Sequence, residues 1–250
     1  MEKQVFTSGM DEAGRGCVLG PMVMCICVID KSRQAFFKEI GCKDSKLLTP
    51  KKREELAEII KKEAKEYKII VVPAEELNIL MNQFSLNEIE AQKASEMILC
   101  LKTEVSELVI DSPDTVPEKF KKRIQEDLKR KGYKNTKLKM VSEHKADVNH
   151  VSVSCASILA KVMRDKLIHE LIGDISGYSS DPKTIEYLKA YILKHKELPS
   201  FARTHWETID KVMKELYQKK LSGFKWIKKT LKNNQRKIIL KRTWTLLMSP

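Results

Sequence analysis

Asp11 and Glu12 stand side by side where an apolar stretch gives way to glycine, and Gly14-Arg15-Gly16 follows at once. A third acid, Asp111, closes another apolar run, ELVID. Carboxylates repel one another, so a cluster of them persists only with protons or cations between its members. Hard divalent cations favour such oxygen ligands. Acids that hold two of these ions are a recurring device for phosphodiester hydrolysis. The glycines beside Arg15 let the main chain come close to a ligand, with N–H groups free to meet a phosphate or a sugar hydroxyl. Each signal is weak alone. An Asp-Glu pair before glycine commonly marks a turn, and Asp after a strand commonly caps a helix.

This chemistry needs elements that bring the acids together. Residues 4–10 read as a strand ending at Asp11, and 18–29, VLGPMVMCICVI, as a second, buried strand. Thr49 and Pro50 open a helix as N-cap and first helical residue. YKIIVVP follows as a short strand, and Ser85 with Glu88 forms a capping box ahead of the helix LNEIEAQKASEMILCLK. Next come the strand ending at Asp111, the helix PEKFKKRIQEDLKRK and a weaker strand, LKMVSE. Helical periodicity runs over 152–171, another helix starts at Asp181-Pro182, and a last one follows Trp206. The order predicts an α/β fold, a mixed sheet flanked by helices with a helical C-terminal portion. If the strands carrying Asp11 and Asp111 are sheet neighbours, their acids share the carboxyl edge, where open sheets bind ligands. Successive strand side chains point to opposite faces. Asp11 and Glu12 can therefore share an ion only where the strand ends, bends or bulges.

The 250 residues suit one large domain, with 42% apolar content to fill its core. We read 1–215 as the catalytic domain, C-terminal helices included, and 216–250 as a basic extension. Of the net charge of +13, ten basic residues lie beyond Glu215, where no acid follows. A basic tail on a nearly balanced body points to a phosphate-rich partner or to a solvated face. None of the six cysteines forms a C-x-x-C pair, so zinc ribbons are excluded and buried free thiols are expected. No apolar signal core opens the chain, and no run approaches the ~20 residues that span a bilayer. A soluble cytoplasmic protein is expected.

The motifs taken in order are far more specific than any one of them. Gly9-Met-Asp-Glu-Ala-Gly-Arg-Gly16 followed by Gly20-Pro21 resembles the opening motif of ribonuclease HII. The likeness continues through Asp44-Ser45-Lys46-Leu47, through Ser154-Cys-Ala-Ser-Ile-Leu-Ala-Lys161, and through Arg164-Asp165. Ser176-Gly-Tyr-Ser-Ser-Asp-Pro182 with Arg203-Thr-His-Trp206 is similar to the archaeal and eukaryotic branch. Together these motifs span residues 8–208. Cys17 and Ser179 stand where the family usually has proline.

The resemblance implies a ribonuclease H-like five-stranded mixed sheet and four metal-coordinating, catalytic acids. Three carry over as Asp11, Glu12 and Asp111. The fourth, just before the S-x-A-S-I-x-A-K helix, maps onto Asp147. The ions implied are Mn²⁺ or Mg²⁺. The implied reaction is endonucleolytic cleavage of RNA in RNA–DNA hybrids, and at ribonucleotides embedded in duplex DNA, leaving 5′-phosphate and 3′-hydroxyl ends. The 2′-hydroxyl is the handle that DNA lacks, and the family loop that reads it maps onto Gly14, Arg15 and Gly16. The tyrosine stacking at the RNA–DNA junction maps onto Tyr178. Lys161 and Arg164, at i and i+3, are expected to face the phosphate backbone, as is Lys46. A monomer is expected, and a sliding clamp is a candidate partner of the tail.

Overall fold

The computed structural model describes residues 4–42, 48–135 and 137–218. Five strands form one sheet: β1 (Phe6–Ala13), β2 (Met22–Asp30), β3 (Glu66–Val72), β4 (Glu107–Asp111) and β5 (Lys139–Glu143), in spatial order β3-β2-β1-β4-β5. The first three are antiparallel, with Asp11 opposite Cys25 and Glu12 opposite Met24. β4 runs parallel to both β1 and β5, so the carboxyl ends of β1 and β4 lie together. The sheet is mixed, as the element order predicts.

Helices cover both faces. α4 (Leu86–Leu99) and α5 (Pro117–Arg130) bury Ile89, Met97, Phe120 and Ile124 against Met10, Ile26 and Ile110. α2 (Pro50–Glu63) and the 22-residue α7 (Val151–Ile172) cover the other face with Leu56, Ile60, Ala156 and Leu159 against Val23, Cys25 and Cys27. Cys25 and Cys27 thus share a face, and all six cysteines are free. A third core joins α8 (Pro182–His195) and α9 (Glu207–Gln218) to Val18, Leu19 and Ile168. Two short helices, α1 (Gln34–Glu39) and α3 (Ala74–Leu80), have no counterpart in the sequence reading. α6 (Ala146–Asn149) is a single turn ahead of α7.

Local signals match their elements. Thr49 Oγ1 caps α2 with Pro50 at its start, and Ser85 and Glu88 form the reciprocal capping box of α4. Asp181 caps α8. α9 continues past residue 215, and Leu216 packs into the third core. The rest of the basic segment, and Lys46 with its D-S-K-L motif, lie outside the described residues. Two strand bounds are corrected: β1 does not end at Asp11 but keeps its pairing to Ala13, because Cys25, Met24 and Val23 of β2 continue the ladder opposite residues 11–13, and β2 starts at Met22, not at residue 18. Among the described residues no helix is long and apolar enough to cross a membrane.

Candidate active site

Because β1 remains a strand through residue 13, Asp11 and Glu12 leave it in opposite directions. Asp11 meets Ser157 of α7, and its Oδ1 accepts the Glu12 N–H at 2.7 Å. Glu12 lies in the field of Glu90, on α4. Asp111 ends β4 and accepts the Ala146 N–H at 2.9 Å, holding the first residue of α6. That contact fixes the turn carrying Asp147, which Lys145 enters in the left-handed conformation, φ 56°. From below, Ser154 Oγ donates to the Asp147 carbonyl at 2.5 Å. Asp111 is thus not the N-cap of the next helix: it takes the first amide of α6 from 35 residues away, at the carboxyl edge of the sheet.

Asp11 feels Asp111 and Asp147 across this edge, and Glu12 feels Asp11 and Asp111. Burial pushes Asp11 up to about 7; the Ser157 hydrogen bond opposes the rise, and the negative charges of Asp111 and Asp147 add to it. Glu12 is held well above the usual carboxylate range by burial first, then by Glu90, Asp11 and Asp111, with Arg15 pulling the other way. Among the described residues no three His, Cys, Asp or Glu side chains converge closely enough to enclose an ion as they stand. The donor chemistry nevertheless fits one. Oxygen ligands only, desolvated and mutually repelling, are what a hard divalent cation stabilises.

Beside the acids runs the loop from Gly14 to Gly20. Gly14 has φ +79°, and a Cβ there would meet the Pro21 carbonyl at 2.8 Å. Gly16 has open space on its Cβ side. Arg15 is anchored inward: its Nε lies 2.9 Å from Glu90 Oε1 and 3.1 Å from Oε2, and its Nη2 donates to Asn87 Oδ1 at 2.6 Å. The Arg15 carbonyl accepts Arg203 Nη1 at 2.8 Å, and Gly20 O accepts Arg203 Nε at 2.9 Å. Glu90, Asn87 and Arg203 were not singled out as site residues from the sequence. The signal for Glu90 was its phase: it stands in register with Ala94 and Ile98 on the buried stripe of α4, an acid where an apolar residue is expected.

The remaining substrate candidates divide. Lys161 is partly exposed, with its Nζ 2.7 Å from Asp165 Oδ1. Arg164, expected on the same outward face, is 1% exposed. It sits inside because its guanidinium donates to the Ser176 carbonyl, to Cys17 Sγ at 2.9 Å and to Asp165 Oδ1 at 3.3 Å. It therefore reaches no phosphate directly and supports Tyr178, whose ring lies 4.9 Å from the Arg164 guanidinium carbon. Lys161 Nζ lies 5.8 Å from the same ring. Tyr178 is half-buried and bridges to Cys17, the residue standing at the family's proline position.

Comparison with known proteins bears on the chain as a whole. The family model described as Ribonuclease HII matches residues 8–209. The Ribonuclease HII of Methanocaldococcus jannaschii is 43% identical over 227 residues, covering 85% of this chain and 97% of that protein. The crystal structure of the ribonuclease H2 from Pyrococcus horikoshii OT3 superposes with a TM-score of 0.76 at 36% identity, covering 84% of this chain and 98% of that one. The RNase HII in the PCNA:RNase HII complex from Archaeoglobus fulgidus gives 0.71 at 38% identity, covering 81% and 96%. Bst-RNase HIII, in complex with Mn²⁺, shares the fold at 18% identity with a TM-score of 0.68, covering 84% of this chain and 70% of its own. With its acids at one sheet edge, its glycine loop beside them and this likeness over most of its length, the chain belongs to the ribonuclease HII family and is a ribonuclease H enzyme.

Proposed function

We propose that this endonuclease hydrolyses the RNA strand of RNA–DNA hybrids and also cuts at ribonucleotides embedded in duplex DNA, leaving a 5′-phosphate and a 3′-hydroxyl. The observation that supports it best is geometric: Asp111 at the end of β4 holds the turn that carries Asp147, Asp11 lies in the field of both, and the Gly14–Gly16 loop follows directly on β1. Asp11, Glu12, Asp111 and Asp147 would hold the divalent ions, Mn²⁺ or Mg²⁺; Asp11 and Glu12 leave β1 on opposite faces, so they would serve different ions of a pair rather than share one. Such ions, when bound in pairs, activate the attacking water and stabilise the leaving oxygen. The chain's own work is placement. Ser157 orients Asp11, Asp111 fixes the turn of Asp147, and the main chain from Gly14 to Gly16 is set beside them to meet the ribose 2′-hydroxyl. Lys161 lies within reach of the phosphate backbone, and Tyr178, backed by Arg164, offers its ring at the RNA–DNA junction. Lys46, outside the described residues, is assigned to substrate binding from its motif alone. The basic segment after Glu215 adds sequence-independent affinity for a duplex. Free cysteines accord with a reducing cytoplasm, and we assign the working unit to a monomer. The complex of the Archaeoglobus relative makes a sliding clamp the partner to test.

The test is digestion of a duplex carrying one ribonucleotide, with Mn²⁺ or Mg²⁺ supplied, and mapping of the product ends. Cleavage on the 5′ side of the ribonucleotide with 5′-phosphate ends supports the reading. Cleavage of four-way junction DNA with no preference for the ribonucleotide overturns it in favour of another nuclease of this superfold. Binding without hydrolysis makes the protein a nucleic-acid-binding module.

A further inference from the structure

Glu90 is a carboxylate only 1% exposed, in the middle of α4, and no part of the proposed ligand set requires it. A buried charge of this kind persists when it is paired and hydrogen-bonded. Its partner is Arg15, the central residue of the glycine loop, reached across 75 residues of sequence. Asn87, one turn earlier on the same helix, takes a second arm of that guanidinium at 2.6 Å. The carbonyl of the same residue is taken by Arg203, itself fully buried. Arg15 is thus held by its side chain from α4 and by its main chain from the segment before α9. A guanidinium engaged in this way cannot swing out to a phosphate without leaving Glu90 buried, unpaired and beside Glu12.

We propose that Glu90 is a positioning residue for the reaction: through Arg15 it fixes the Gly14–Gly16 main chain where the ribose is read, with Asn87 and Arg203 as the other two supports. Arg15 is then a strut of the loop, and the loop's contacts to substrate are made by its backbone. The inference rests on the reading that this loop meets the ribose.

The test is a double-mutant cycle on the full-length protein, using Arg15→Ala, Glu90→Gln and the double variant. KM and kcat are measured on a duplex with one ribonucleotide, and Tm is measured in parallel. If Glu90 acts through Arg15, each single variant raises KM about tenfold, as loss of a charged hydrogen bond would, with the smaller effect on kcat. The double variant is then no worse than Arg15→Ala. Arg15→Ala alone should also lower Tm by leaving a buried carboxyl without its hydrogen-bond partner, and adding Glu90→Gln should recover part of the loss. Multiplying effects in the double variant, or a wild-type KM in either single variant, overturn the proposal. If Arg15→Ala does not fold, Glu90→Gln against the double variant carries the comparison. A wild-type enzyme that ignores the ribonucleotide is a separate outcome: it removes the reading beneath the proposal, and it shows before any variant is made.

Discussion

Gly9 sits in the middle of β1 with its Cα face turned to α7. A Cβ added there would lie 2.1 Å from Val153 N, 2.2 Å from the Ser152 carbonyl carbon and 2.5 Å from its oxygen. Ordinary carbon contacts need about 3.5 Å, so strand and helix must part by roughly 1 Å or more. All three clashing atoms are main chain, and no rotamer change relieves them. Inserting a methyl into a packed interior costs about 1–3 kcal/mol, and the rigidity of this contact puts Gly9→Ala at the upper end. For a domain of this size each kcal/mol moves Tm by about 2–4 °C, so a fall of about 6–12 °C is expected. The damage extends to activity. α7 carries Ser157, which orients Asp11, and Ser154, which holds the Asp147 turn. A shift of about 1 Å in catalytic groups can cost about 10²-fold in rate. Thermal unfolding by circular dichroism and kcat/KM on an RNA–DNA hybrid measure the two effects. A Gly9→Ala protein that melts within about 2 °C of the parent and cuts at full rate would show that α7 is not seated on β1 as described.

Gly16→Ala is the contrasting case: with nothing within 4 Å of its Cβ position and no left-handed φ, it should leave Tm unchanged but lower kcat/KM on ribonucleotide substrates. Asp11→Asn and Asp111→Asn should each abolish nearly all metal-dependent cleavage while Tm holds or rises, since an asparagine oxygen at 111 still accepts the Ala146 N–H. Without metal, stability should fall as pH rises, because Asp11 titrates at about 7 folded and near 3.8 unfolded, so the folded state binds the extra proton. Tm scans from pH 5 to 8 in chelator should show this slope, flatter in Asp11→Asn and reduced in the wild type by added Mn²⁺. A truncation after Gln218 keeps Leu216 in the third core, so it should melt like the parent while its KM depends less steeply on salt. An unchanged salt slope would separate the basic segment from substrate binding.

The sequence carried the sheet because each strand has its own local pattern, and it carried the caps of α2, α4 and α8 because capping is chemistry within four residues. It did not carry the end of β1. Glycine at residue 14 suggests a break after the acids, but the ladder to Cys25, Met24 and Val23 is non-local and extends the strand. α1 and α3 escaped because six or seven residues hold too few apolar positions to show a period. Arg164 was misplaced for a related reason. Spacing at i and i+3 says that two side chains share a helix face, but not whether Ser176 and Cys17 come over to cover it. Asp111 and Asp147 come together through the parallel pairing of β4 with β5 and one contact to Ala146, and neither is visible in composition or period.

The loop between β1 and β2 has an odd set of neighbours. Val18 N and Leu19 N both donate to Gly177 O, Gly20 N donates to Phe201 O, and Arg203 N returns to Val18 O. These amides belong to the start of the chain, but their acceptors belong almost wholly to its last third. In hydrogen exchange they should behave as one cooperative unit with the helical C-terminal portion, opening when α8 and α9 loosen and staying closed while only the sheet edge frays. The loop proposed to meet the ribose is therefore as durable as the helix pair behind it. A partner that clasps α8 and α9 would stiffen the loop without touching nucleic acid.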